Sequence, residues 1–147
     1  MDLVLLVGLP ASGKSTFTRE RLADSHVVVS KDAMRKGSNR IKRQRIAIET
    51  ALGEGRSVVV DNTNVSREER AAAIDAAKPF GPRVLVFRFD ASVEDCRARN
   101  ALREGEACVP LVAIYSAAKR FEEPALEEGI DEIYRVALEP DGFTIIP

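Results

Sequence analysis

Histidine and cysteine are scarce in these 147 residues, with one His and two Cys. Cys96 and Cys108 are too few for a disulfide scaffold, and His26 alone forms no Cys/His cluster of the zinc-binding kind. His26 stands just before the apolar run Val27–Val29, so it reads as structural and argues against a Ser–His–Asp triad. No apolar stretch approaches the roughly 18 residues a membrane span needs. Leu3–Val7 has no cationic segment before it and runs straight into glycine, so it does not read as a signal peptide. An excess of one charge is missing as well. The 22 Lys and Arg face 23 Asp and Glu, which excludes a polybasic binder that works by bulk charge. What is present, 45% hydrophobic and 31% charged residues, is the composition of a globular chain, and the length suits one domain over residues 1–147. Few cysteines and no membrane segment point to a reduced, cytoplasmic setting.

Short β-branched runs alternate with helical patterns, which is how a parallel sheet with crossover helices reads. The strand candidates are Leu3–Val7, Val27–Val29, Ser57–Val60, Arg83–Phe89 and Ile133–Leu138. Several are apolar at nearly every position, as strands covered on both faces should be. Helices are expected over Lys14–Ala23, from Asn39 or Ser38 as cap to about Leu52, and from Ser66 to just before Pro79. Two more are expected, one from Ser92 with Asp95 three residues on, and one from Pro110 to near Phe121. The expected fold is α/β, a three-layer sandwich with a parallel sheet of about five strands and helices on both faces. No repeat, linker or low-complexity segment interrupts it. Charge is uneven along it: residues 1–73 carry 13 basic and 9 acidic side chains, residues 74–147 carry 9 and 14. Arg35, Lys36, Arg40, Lys42, Arg43 and Arg45 crowd together, either as a solvated helix face or as a phosphate-contacting patch.

Gly8-Leu9-Pro10-Ala11-Ser12-Gly13-Lys14-Ser15, followed by Thr16, fits G-x-x-x-x-G-K-[ST]. It sits after a buried-type strand and opens a helix, the context such a motif requires. Glycines allow successive N–H groups to turn toward a polyphosphate, and the helix end behind them adds free donors and partial positive charge. Lys14 would place a point charge between the β- and γ-phosphates, and the Ser15 hydroxyl would ligate Mg²⁺. The bland alternative is a glycine turn with an incidental lysine. The base-specifying N-K-x-D of GTPases is absent, which favours ATP or relaxed nucleotide choice.

In open α/β sheets ligands bind at the carboxyl ends of the strands. Val27–Val29 runs there into Ser30-Lys31-Asp32-Ala33-Met34-Arg35, and Val58–Val60 into Asp61-Asn62-Thr63-Asn64. Asp32 can orient an acceptor hydroxyl and take its proton; its alternative role is a helix cap. Arg35 can hold phosphoryl oxygens with its planar fork. Asp61 reads either as a carboxylate reaching Mg²⁺ through water or as a turn former. Arg99 and Arg103 share one helix face, suited to a lid over about residues 97–112 that neutralises developing charge, or to a solvated face. Cys96 and Cys108 read as packing residues.

Several segments occur in an order that resembles the P-loop polynucleotide 5′-kinase domain of end-healing kinase–phosphatases. They are residues 8–16, Lys31-Asp32-x-x-Arg35, Glu49-Thr-Ala-Leu52, Asp61–Asn64, Arg99-Asn-x-x-Arg103, Val109-Pro110 and Phe121–Gly129, within Leu3 to about Val136. The resemblance implies transfer of the ATP γ-phosphate to a 5′-hydroxyl end of DNA or RNA, with Mg²⁺ required. Carried over by position, Lys14 and Ser15 hold phosphates and metal, Asp32 is the general base, and Arg35 contacts the reacting or acceptor phosphate. Arg99 and Arg103 become lid arginines on the donor phosphates, Asp61 the acid of the metal–water network, and Val109 a neighbour of the acceptor base. Arg40 and Thr63 complete the expected acceptor side. No D-x-D-G-T motif is present, so no 3′-phosphatase is expected from these residues. Two other readings stay open: a kinase of a small-molecule or nucleoside hydroxyl, and a non-catalytic ATP-binding accessory or switch protein.

Overall fold

The computed structural model describes residues 1–31, 39–105, 108–139 and 142–147. Strand β1 (Asp2–Val7) is apolar from its second residue on, and Leu3, Leu5, Leu6 and Val7 have no exposed surface. Such a strand has to lie mid-sheet. It pairs in parallel with β3 (Val58–Val60) on one side and β4 (Arg83–Phe89) on the other, Leu5 lying opposite both Val60 and Val86. Outside them, β2 (Val27–Val29) joins β3 and β5 (Glu132–Glu139) joins β4, both parallel.

A sixth strand, β6 (Gly142–Ile146), runs antiparallel to β5, giving the order β2-β3-β1-β4-β5-β6. The expected five-strand sheet is thus one strand short. β6 is an edge strand whose last three residues face water, so it carries little of the apolar signature by which the others are recognised. β2 occupies the opposite edge, and its Val28 is exposed, unlike the fully covered valines of β3.

Helices α2 (Arg40–Gly53) and α3 (Arg67–Ala77) lie against one face of the sheet. Ile48, Ala51 and Leu52, with Ala73, Ile74, Ala76 and Ala77, meet Leu3, Leu5, Val7, Val58, Val60 and Val86 there. The other face carries Val4, Leu6, Val59 and Leu85 and is covered from α1 (Lys14–Phe17). The Phe17 ring is the centre of that layer, with centroids 5.3 to 5.4 Å from Phe87, Phe89 and Phe143. A third cluster joins Leu9 and Ala11 to Cys96 of α4 (Val93–Ala101) and to Ile114 and Ala117 of α5 (Leu111–Arg120). Helices on both faces of a mostly parallel sheet make the three-layer sandwich the sequence leads one to expect.

Two helix details differ from expectation. The helix expected over Lys14–Ala23 is α-helical only to Phe17 and widens into a π-helical turn over Thr18–Leu22, where the Ala23 N–H donates to Thr18 O. Asn39 stands before α2 as expected, but its side chain caps nothing. Capping needs an extended backbone at that place, and Asn39 is left-handed at φ 76°; Ser38 lies outside the described residues. Ser66 and Ser92 do cap, each hydroxyl accepting from the N–H three residues on, and Asp95 returns a bond to the Ser92 N–H.

Candidate functional site

The chain leaving β1 turns at Gly8 and enters α1 at Lys14. A Cβ at Gly8 would lie 2.8 Å from Ser12 Oγ and 3.0 Å from Phe89 Cβ, so only glycine fits there without displacement. Ala11 and Gly13 take left-handed backbones at φ 65° and 101°. Leu9 is buried and offers the site only its backbone. Lys14, 7% exposed, donates from Nζ to Gly8 O at 3.0 Å and Leu9 O at 2.7 Å, so the ammonium is held inside the curl of the loop. Ser12 Oγ lies 3.4 Å from the same nitrogen. The loop runs straight into the start of α1, and a helix N-terminus favours anions.

The turn after β3 forms the facing wall. Ser15 donates from Oγ to Asp61 Oδ2 at 3.0 Å, joining the first turn of α1 to the tip of β3. The Gly8 N–H donates to Thr63 O at 3.0 Å. Asn62 Oδ1 accepts from the Lys31 N–H at 2.9 Å, and Asn62 Nδ2 donates to the buried Gln44 of α2 at 2.6 Å. Asn64, left-handed at φ 47°, donates from Nδ2 to Leu6 O at 2.8 Å and to Val60 O at 3.3 Å. This buried amide therefore bridges the ends of β1 and β3.

Two of the hollows beside the loop concern the predicted site residues. A cleft of about 220 Å³ is lined by Pro10, Ala11, Lys14, Ser15, Asp61, Asn62, Thr63, Arg103, Val109 and Ala113. A larger hollow of about 500 Å³ opens on the other flank, where Gly13, Thr16, Arg99 and Phe143 meet Glu20 and Glu139. Ala11 and Arg103 line both. Arg99 Nη1 donates to Ala11 O at 3.3 Å, leaning on the loop from α4. Val109 is pinned at the cleft by Asn100, which bonds both its carbonyl (2.8 Å) and its N–H (2.9 Å).

The structure thus brings Pro10, Ala11, Lys14, Ser15, Asp61, Thr63, Arg103 and Val109 to one cleft, and places Gly13, Thr16 and Arg99 at the adjoining hollow. Arg40 heads α2 and is not among the described lining of either. Asp32 and Arg35 lie outside the described residues; Lys31, directly before Asp32, is tied to the Asp61 turn through Asn62. Sequence reasoning missed Gln44, Asn62, Asn64 and Phe143 as parts of this arrangement. Asp61-Asn62-Thr63-Asn64 was visible as a polar strand tip, but a buried carboxamide has no signature of its own in one sequence. Burial pushes the Cys96 thiol up, a shift that the positive charges of Lys14 and Arg99 only partly offset, which fits a packing residue.

Among the described residues no group of three or more His, Cys, Asp or Glu side chains gathers into a metal cluster. The donor set at Ser15 and Asp61 nevertheless fits Mg²⁺, which binds hard oxygens, keeps several waters and takes one or two protein ligands beside substrate phosphates. Among the described residues no helix is long and apolar enough to cross a membrane.

A glycine-bounded loop between strand and helix, an enclosed lysine, and a hydroxyl facing a strand-tip carboxylate define a P-loop NTPase fold. The chain belongs to the AAA domain family, whose model matches residues 3–124. It is also related to polynucleotide kinase–phosphatases. It is 36% identical over 144 residues to the bifunctional polynucleotide phosphatase/kinase of Schizosaccharomyces pombe, an alignment covering 92% of this chain and 33% of the relative. The chain therefore spans about a third of that protein's length. Among solved structures, a fungal RNA kinase shares the fold with a TM-score of 0.69 at 16% identity, over 96% of this chain and 40% of its own. The APS kinase of Mycobacterium tuberculosis, solved with AMPPNP and APS, shares it with a TM-score of 0.60 at 21% identity, over 91% and 87%.

Proposed function

We propose that the protein is an ATP-dependent kinase that transfers the γ-phosphate to the 5′-hydroxyl end of a DNA or RNA strand. The observation that carries this reading is the shared cleft. Lys14, Ser15 and Asp61 meet there with Thr63, Arg103 and Val109, residues drawn from both the donor and the acceptor sides of the resemblance. The relative that matches most of this chain at 36% identity supports the polynucleotide acceptor.

In this reading the loop N–H groups and Lys14 grip the donor phosphates, and Lys14 Nζ trades its bonds to Gly8 O and Leu9 O for phosphate oxygens. Ser15 and Asp61 hold Mg²⁺, directly and through water, and the bound ion supplies neutralisation of phosphate charge. Arg103, lining both hollows, counters charge as it moves from donor to acceptor. Asp32, next to the tethered Lys31, takes the proton of the acceptor hydroxyl; the loose transition state makes its placement matter more than its basicity. Arg35 and Arg40 hold the acceptor's own phosphodiester, with Val109 beside its base.

A second reading, a kinase of a small-molecule or nucleoside hydroxyl, is favoured by the cleft's volume of about 220 Å³, which suits one sugar or one terminal nucleoside. One experiment separates the two. The protein is incubated with γ-labelled ATP and Mg²⁺ against 5′-hydroxyl oligonucleotides, nucleosides and small alcohols. Label on the oligonucleotides alone is expected. Label on nucleosides or alcohols alone would install the second reading, and label on none would leave a nucleotide-binding protein.

A further inference from the structure

We propose that the buried Arg70–Glu128 pair is a positioning device for the Asp61–Asn64 turn, and through it for the carboxylate that faces Ser15. The inference rests on the reading of Ser15 and Asp61 as the magnesium-facing pair. Among the described residues, Arg70 of α3 is the largest side chain with no exposed surface. Its Nε and Nη2 donate to the two oxygens of Glu128 at 2.8 and 3.2 Å, and its Nη1 donates to Asn64 O at 2.9 Å. Glu128 is 6% exposed and also accepts from the Ala125 N–H at 2.8 Å. Asn64 in turn holds Leu6 O and Val60 O. An unbroken series of bonds thus runs from Glu128 through Arg70 to the ends of β1 and β3, and Asp61, the residue directly after β3, opens the turn that Asn64 closes.

Neither Arg70 nor Glu128 lines the cleft or the hollow beside it. Stability alone is a weak reason for such a pair, because withdrawing two charges from water offsets most of their attraction. Directional bonds sheltered from water do hold geometry well. The segment that supplies Glu128 is itself fastened to the same region, the Glu122 N–H donating to Val65 O at 2.8 Å. Residues 121–129 therefore contribute to the site by bracing it from behind rather than by touching substrate.

The test uses the full chain with Glu128→Gln and with the charge-free pair Arg70→Met/Glu128→Leu. The pair keeps buried volume and avoids a stranded charge, so it guards against the single variant failing to fold. ADP binding is measured by calorimetry with Mg²⁺ and with EDTA, beside Asp61→Asn. The expected result is EDTA-insensitive affinity within about twofold of the parent and a magnesium-dependent gain reduced about 10–100-fold, the usual range for groups that orient metal ligands. Added to Asp61→Asn, the pair should cause no further loss of that gain. A ligand-free readout accompanies it: amide hydrogen exchange at Gly8 and Asp61 should quicken while β4 is unchanged. A folded pair variant with full magnesium gain and parental exchange overturns the proposal. If Asp61→Asn itself keeps the full gain, the reading of Asp61 fails instead, and altered exchange in the pair variant would then assign the brace to the turn alone.

Discussion

Gly13 shows how closely single residues are specified around the phosphate loop. Its φ of 101° disfavours any side chain, and a Cβ there would lie 3.1 Å from Arg99 Nη1 and 3.3 Å from the Phe143 ring. Gly13→Ala should therefore cost about 1–3 kcal/mol of strain and weaken nucleotide binding, read by thermal unfolding and nucleotide titration. Parental values in both would mean the loop relaxes freely. Asp32 is tested by chemistry. Asp32→Asn should lower turnover by about 10²–10⁴ while nucleotide affinity stays near the parent's, which single-turnover and binding assays separate. The G-x-x-x-x-G-K-[ST] spacing was fully legible in the sequence because each residue type answers a distinct demand of a phosphate. Asn62, Asn64 and Gln44 were not, because their roles depend on partners 18 to 58 residues away.

At the scale of elements, β1, β3 and β4 were readable from continuous apolar runs, and α3 and α4 from serine caps three residues before an acid. β6 escaped because only its first residues turn inward, and α1 runs on to Leu22 as read but widens into a π-helical turn at Thr18, which the apolar spacing does not signal. Phe17 ties these two together, meeting Phe143 of β6 edge-on at 5.3 Å. Phe17→Ala should destabilise the fold by about 3–5 kcal/mol in denaturant unfolding. A smaller loss would mean that the layer between α1 and β6 collapses to fill the gap. On α2, Arg40, Lys42 and Arg43 form a basic run in the first turn. Changing all three to Gln should weaken binding of a single-stranded oligonucleotide and flatten its salt dependence by up to about three counterions. An unaltered slope would return that run to the role of a solvated face.

For the molecule as a whole, Glu128 gives stability a defined dependence on acid. Burial works to raise its carboxyl, but hydrogen bonds from Arg70 and the Ala125 N–H, with the charge of Arg70, outweigh it and hold the group below the ordinary glutamate value. At pH values between the two, the unfolded chain carries the proton and the folded one does not, so unfolding takes up a proton. The contribution is complete above the ordinary glutamate range and fades as the pH drops through the lower, folded value. Thermal unfolding followed from pH 7 downward should show a smaller loss in Arg70→Met/Glu128→Leu than in the parent.

The amide of Asn64 spans two diverging backbones where the sheet's own ladder has ended. A connection stitched in this manner tolerates no change of length. One extra residue between Asp61 and Asn64 would carry the amide away from both carbonyls, whereas exposed surface loops accept insertions at little cost. Spacing here, more than the identity of any one side chain, is the trait that should persist as the lineage diverges.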